Sequence, residues 1–222
     1  MSEVGATAPL GILGGTFDPV HKGHLQLAAD ACKKLELGQI LWIPSANPPH
    51  RDQPGTPAAQ RLAMVALAIR RQTQFVLDDC EVRRNEPSYT VVTLEDLRSR
   101  HGNQRPLVLL LGIDAFLGLH TWHRWRELFS LAHIAVATRP GFSLQADDMA
   151  PELHVEFEKR LDPAVKTLAT QAAGSIVPFA ITPVDVSASD VRHRLSKGEK
   201  VANLLPDAVL DYIAANHLYA QN

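Results

Sequence analysis

Little in this chain could staple it, anchor it or give it a field of one sign. Its 222 residues include only two cysteines, Cys32 and Cys80, which form no CxxC pair. That spacing argues against a zinc site or a disulfide framework, and a reducing cytoplasm fits. Lys and Arg number 22 against 24 Asp and Glu, a formal net charge of −2. No global field therefore draws in nucleic acid or an anionic membrane, and any anionic ligand is gripped locally. No uninterrupted apolar run approaches the ~18 residues of a membrane span, and no basic region precedes the apolar residues of MSEVGATAPLGILGG. The chain reads as soluble and unprocessed. Internal repeats, low-complexity tracts and charge blocks are missing too.

What is present is alternation. Short apolar or β-branched runs interleave with longer helical patterns, which predicts βα units on a mostly parallel sheet, a Rossmann-like three-layer α/β fold. The strands are Leu10 to Leu13, Ile40 to Pro44, Phe75 to Asp78, Leu107 to Gly112, His133 to Thr138 and Ile176 to Ile181, the last an edge strand because of Pro178. Leu25, Ala28, Cys32 and Leu35 recur at helical spacing, giving a helix from about His21 to Leu37 with Gly38 as its stop. Thr56 and Pro57 read as N-cap and first-turn proline of a helix through Leu62, Val65 and Ile69. Further helices are expected from Tyr89 to Arg100, Pro151 to Ala173 and Pro206 to Asn216. One domain is expected, with a core of about 10–183 and a helical, phosphate-binding portion of about 184–222. The loops 45–55 and 139–151 are where binding residues would concentrate.

Residues 14–24 read GGTFDPVHKGH. A strand ending in two glycines and turning into a helix is phosphate-binding geometry, because glycines admit a ligand to the backbone and a helix N-terminus offers N–H groups. Neither GxGxxG nor GxxxxGK[ST] is present. In their place stand His21 and His24, which share one helix face at i and i+3. Gly23 between them weakens a helix, which makes sense if a bulky group must approach its backbone. A histidine pair alone can equally be a cap or a solvated surface feature. Metal binding ranks lower, with no carboxylate or cysteine nearby to complete a ligand set.

The eleven-residue string resembles the GGTFDPVHxGH signature of the HxGH nucleotidyltransferase superfamily. PSANPPHR (44–51), EPSYTVVTL (86–94), GIDAFLGLHTWHRWREL (112–128) and VSASDVRHRL (186–195) resemble, in order, later motifs of the bacterial nicotinate mononucleotide adenylyltransferases. The resemblance implies an enzyme that moves the adenylyl group of ATP, with Mg²⁺, onto nicotinate mononucleotide in NAD synthesis. It implies His21, His24 and Arg192 as catalytic. Gly14, Gly15, Thr16, Phe17, Gly112, Ser187 and Ser189 would bind ATP. Asp114, His50, Arg51, Tyr89, Thr90 and Trp122 would bind the acceptor, the Trp122 ring stacking on its pyridine.

Each of these residues also has a plainer reading. Ser187 with Arg192 can be a serine N-cap and a surface arginine, Asp114 an N-cap, Tyr89 and Thr90 an exposed helix start, and Trp122 with Trp125 a core stripe on a helix. The core reading is taken for Trp125. Arg51 stands where the family has lysine, which replaces a point charge by a planar fork. Val92 replaces an aspartate and is left out of the site; Ala188 replaces a serine and removes one phosphate donor. Sister enzymes acting on nicotinamide mononucleotide or phosphopantetheine stay open, as does a catalytically silent nucleotide-binding module. Neither nucleic acid nor membrane is expected as a partner, and the oligomeric state, homo-oligomer included, is not legible.

Overall fold

The apolar runs become parallel strands in a computed structural model that describes residues 8–47, 55–84, 86–138 and 144–220. In chain order the elements are β1 (Leu10–Gly15), α1 (Lys22–Lys34), β2 (Gln39–Pro44), α2 (Ala58–Ile69), β3 (Phe75–Leu77), α3 (Cys80–Arg83) and α4 (Thr90–His101). They continue with β4 (Leu107–Gly112), α5 (Ile113–Leu117), α6 (Leu128–Leu131), β5 (His133–Thr138), α7 (Pro151–Arg160), α8 (Thr167–Thr170), β6 (Ile176–Ala180), α9 (Ala188–Ser196) and α10 (Asp207–Ala215). Among the described residues the sheet has six strands in the order β3-β2-β1-β4-β5-β6, every pair parallel. The expected Rossmann-like α/β architecture is what forms, with Pro178 on an edge strand.

Successive side chains of a strand point to opposite faces, so each strand feeds two cores. Leu13, Ile40, Trp42, Val108, Leu110, Ala135 and Val177 face α1, α2, α9 and α10. Leu10, Ile12, Leu41, Ile43, Leu109, Ile134 and Val136 face α4, α5, α6 and α7. Each fully buried aliphatic side chain contributes about 1.5–3 kcal/mol, enough to hold helices that would fray alone. Val191, Leu205, Val209 and Ile213 belong to the first of these cores, so the helical portion after residue 184 packs on the sheet.

Three expectations about helices shift. The first helix stops at Lys34, four residues before Gly38, because Glu36 adopts a left-handed φ of 53°. Thr56 does not cap α2: Pro57 stands at the N-cap position and no side chain caps it, while Thr56 is buried. The expected helix from Pro151 to Ala173 breaks in two. Leu161 bridges Ile176 and the Asp162 N–H donates to the Ile176 carbonyl at 2.9 Å, and Pro163 then forbids helix across the gap.

At the amino edge of the sheet, Arg98 gathers loops. Its guanidinium donates to the carbonyls of Leu131 (2.7 Å), Gly102 (3.2 Å), Arg105 (2.6 Å) and Ala172 (2.7 Å). Beside it, fully buried His133 accepts the Ser175 N–H at Nδ1 (3.1 Å) and donates from Nε2 to the Gln171 carbonyl at 2.9 Å.

The carboxyl edge is different. β1 pairs with β2 as far as Gly15↔Pro44, and β4 with β5 as far as Gly112↔Ala137, but β1 pairs with β4 only as far as Ile12↔Leu109. The two central strands splay where strand order reverses, which is where open α/β sheets bind ligands.

Candidate active site

Gly14, next to last in β1, and Gly112, last in β4, lie where the two strands splay. Both are exposed, and a Cβ at either would meet nothing within 4 Å. Phe17, just beyond, has a left-handed φ of 50°, a costly backbone state for a non-glycine residue that persists when the surroundings over-determine it. Its ring is buried against Trp42 (centroids 5.5 Å) and edge-on to His24 (5.0 Å). The Phe17 side chain therefore packs rather than presenting itself to a ligand.

His21 is the N-cap of α1 and His24 lies one turn in. Their rings stack with centroids 3.7 Å apart and 24° between planes. The His21 backbone N–H donates to His24 Nδ1 at 3.2 Å, so in the neutral ring Nε2 carries the proton. Burial lowers the pKa of His21 from 6.5 to about 4, which leaves it neutral near pH 7. The first turn of α1 carries no acidic residue. Its N–H groups are partly used: Lys22 N–H donates to the Leu204 carbonyl at 3.0 Å and His24 N–H to the His21 carbonyl at 3.0 Å.

What crowds Gly23 is the protein itself. A Cβ there would stand 2.9 Å from Val186 Cγ1 and 3.1 Å from His21 Nδ1. The glycine lets the segment before α9 close onto α1, and this delivers the late motif. Arg192 Nη1 donates to the Asp18 carbonyl at 2.6 Å and Nη2 lies 3.5 Å from Ser189 Oγ. Ser187 is the N-cap of α9, its Oγ accepting the Asp190 N–H at 3.1 Å. Thus Gly14, Gly15, Thr16, His21, His24, Ser187, Ser189 and Arg192 share one end of the molecule.

The expected acceptor residues sit on neighbouring loops. Tyr89 is the N-cap of α4, followed by Thr90, and its ring packs on His123 with centroids 4.5 Å apart. Trp122 and Trp125 do not share a helix face: Trp122 ends one 3-10 turn, Trp125 begins another, and Arg124 between them has φ +52°. Trp125 is buried, as read, and Trp122 is half-buried. Asp114 is exposed in the first turn of α5, whose N-cap is Gly112, so Asp114 is not the cap. His50 and Arg51 lie outside the described residues.

Sequence reading missed the residues that hold these loops together. Arg61 is 1% exposed and donates to the carbonyls of Thr56 (3.0 Å), Thr16 (2.7 Å), Ser45 (2.6 Å) and Ala46 (3.1 Å). Its signal was available: Arg61, Val65 and Ile69 fall at i, i+4 and i+8, on the buried face of α2. Tyr219 donates its hydroxyl to Asp18 Oδ1 at 2.5 Å, and burial followed by that bond pushes its pKa up. Ser88 Oγ accepts the N–H groups of Ala46 (3.1 Å) and Asn47 (3.3 Å). Nothing in the spacing of Tyr219 or Ser88 announces these contacts.

A stacked histidine pair beside a splayed parallel sheet fits a nucleotidyltransferase, and the Cytidylyltransferase-like family matches residues 12–194. A Dechloromonas aromatica protein named "Probable nicotinate-nucleotide adenylyltransferase" is 50% identical over 95% of this chain and 97% of its own. One of the same name from Pseudomonas fluorescens is 45% identical over 95% and 96%. The chain belongs to the nicotinate-nucleotide adenylyltransferases of that family. In fold it resembles the Plasmodium falciparum nicotinic acid mononucleotide adenylyltransferase complexed with NaAD, at TM-score 0.72 and 17% identity over 96% of this chain and 98% of that one.

Proposed function

We propose that this protein transfers the adenylyl group of ATP to nicotinate mononucleotide, giving nicotinate adenine dinucleotide and pyrophosphate in NAD biosynthesis. The observation that carries the reading is the 50% identical relative of that name, matched over 95% of this chain. The stacked His21 and His24 at one end with Arg192 support it from the chemistry. The acceptor's 5′-phosphate oxygen attacks the α-phosphorus of ATP, the bond to the bridging oxygen breaks, and pyrophosphate leaves with the electron pair. No protein nucleophile is needed; catalysis is positioning plus donors aimed at the growing charge.

His24 is the transition-state donor, because the His21 N–H fixes its tautomer with the proton on Nε2. Neutral His21 shields and orients it, and both face the triphosphate. Arg192, Thr16, Ser187 and Ser189 grip phosphate oxygens, and Gly14, Gly15 and Gly112 admit the nucleotide to the splayed strand ends. Phe17 contributes backbone only. Asp114 accepts ribose hydroxyls, Tyr89, Thr90 and Trp122 hold the pyridine, and His50 with Arg51 meets phosphate. Among the described residues no group of three or more His, Cys, Asp or Glu could hold a metal ion. Mg²⁺ would enter with ATP as the MgATP substrate and offset phosphate charge. No helix of the described residues is long and apolar enough to cross a membrane. The cytoplasm, a single nucleotidyltransferase domain and small-molecule partners without nucleic acid complete the reading.

The test is pyrophosphate release from MgATP with nicotinate mononucleotide and nicotinamide mononucleotide in separate reactions. Strong preference for the acid with the dinucleotide as product is the expected result. Equal use of both removes the acid specificity, and turnover of neither removes the reading.

A further inference from the structure

We propose that Arg61 is a positioning residue that sets the spacing between the two substrates, and this rests on the functional reading above. Arg61 touches neither substrate in that reading. All its hydrogen-bond acceptors are main-chain carbonyls, and they come from different loops: Thr16 after β1, Ser45 and Ala46 after β2, and Thr56 before α2. Burying a guanidinium is costly, and an apolar side chain of similar volume could fill the space but would leave the carbonyls without donors. Five donors fixed in a plane, however, can hold several carbonyls at set distances, which no apolar side chain does.

The contacts form a continuous path. Arg61 Nη1 holds the Thr16 carbonyl on the turn assigned to ATP, and Nη2 holds the Ala46 carbonyl. The Ala46 N–H donates to Ser88 Oγ, and Ser88 precedes Tyr89, assigned to the acceptor. Ser45 N–H also donates to the Gly15 carbonyl at 2.9 Å, closing the ring. One side chain thereby fixes the ATP turn against the acceptor loop. A bimolecular transfer is sensitive to that distance, since misplacement by about 1 Å costs on the order of 10²-fold in rate.

Arg61→Met and Arg61→Lys are compared with the wild-type protein by steady-state kinetics, circular dichroism and thermal melting. The wild-type protein is run first on nicotinate mononucleotide, nicotinamide mononucleotide and phosphopantetheine, which fixes the acceptor and judges the functional reading separately. With that acceptor, Arg61→Met is expected to lower kcat about 10²-fold while KM for each substrate changes by less than about threefold. Arg61→Lys, which can still reach the Thr16 and Ser45 carbonyls, is expected to recover about tenfold of that loss. A lowered melting temperature with kcat unchanged would make Arg61 merely structural and overturn the proposal. So would a rise in KM with kcat intact. If Arg61→Met does not fold, Arg61→Lys decides alone: kcat down about tenfold at constant KM supports it, and unchanged kcat sinks it.

Discussion

The two edges of the sheet use the same two devices. Each has a buried arginine donating to four main-chain carbonyls, Arg98 at the amino edge and Arg61 at the carboxyl edge, and each has a buried histidine, His133 and His21. The difference lies in what they are fastened to. His133 has both ring nitrogens bonded to main chain. His21 stacks on another imidazole, and its Nδ1 is buried with no hydrogen-bond partner among the described residues. The amino edge spends its polar groups on closure, whereas the carboxyl edge holds polar groups in an arrangement that folding alone does not require.

That contrast can be broken by substitution. The largest effect is expected at the amino edge: Arg98→Met leaves four carbonyls without their donor and destabilises by about 4 kcal/mol. Urea unfolding measures it, and kcat of the folded fraction should be unchanged; a large loss of kcat would erase the distinction between the edges. Next comes acid sensitivity. The His21 pKa falls from 6.5 unfolded to about 4 folded, so between those values the unfolded state binds more protons and stability drops as pH falls through that window. The contribution is about 3 kcal/mol, complete below pH 4. His133 acts in the same sense through burial, so the difference between wild type and His21→Asn in melting temperature against pH isolates the carboxyl edge. A His21→Asn profile as steep as the wild type's would refute it.

Third, His24→Ala should lower kcat by about 10²-fold, the effect of removing one preorganised donor, with stability little changed. A change confined to KM would make His24 a ground-state contact. The smallest effect separates two uses of one hydroxyl. Ser187→Ala is expected to cost about 1 kcal/mol as a lost N-cap, read by thermal melting. If Ser187 also grips phosphate, KM for ATP rises as well.

The fold was legible because parallel strands buried on both faces are apolar throughout, as Leu107 to Gly112 and His133 to Thr138 are. Motif residues at strand ends were legible because a parallel sheet brings all carboxyl ends to one edge. Long-range polar contacts escaped. Arg61 reads as a surface arginine until its helical phase is compared with Val65 and Ile69, and Tyr219 lies far from the aspartate it bonds. Gly23 was read as an opening for a ligand, but periodicity says nothing about Val186, which fills that space.

The bond between Asp18 and Tyr219 spans 201 positions, and the Lys22 N–H relies on the Leu204 carbonyl. Closing loops of that length is slow and comes after local contacts. The turn assigned to ATP is therefore among the last segments assembled as the chain folds. A chain lacking the Tyr219 hydroxyl would carry the motif without this anchor on Asp18.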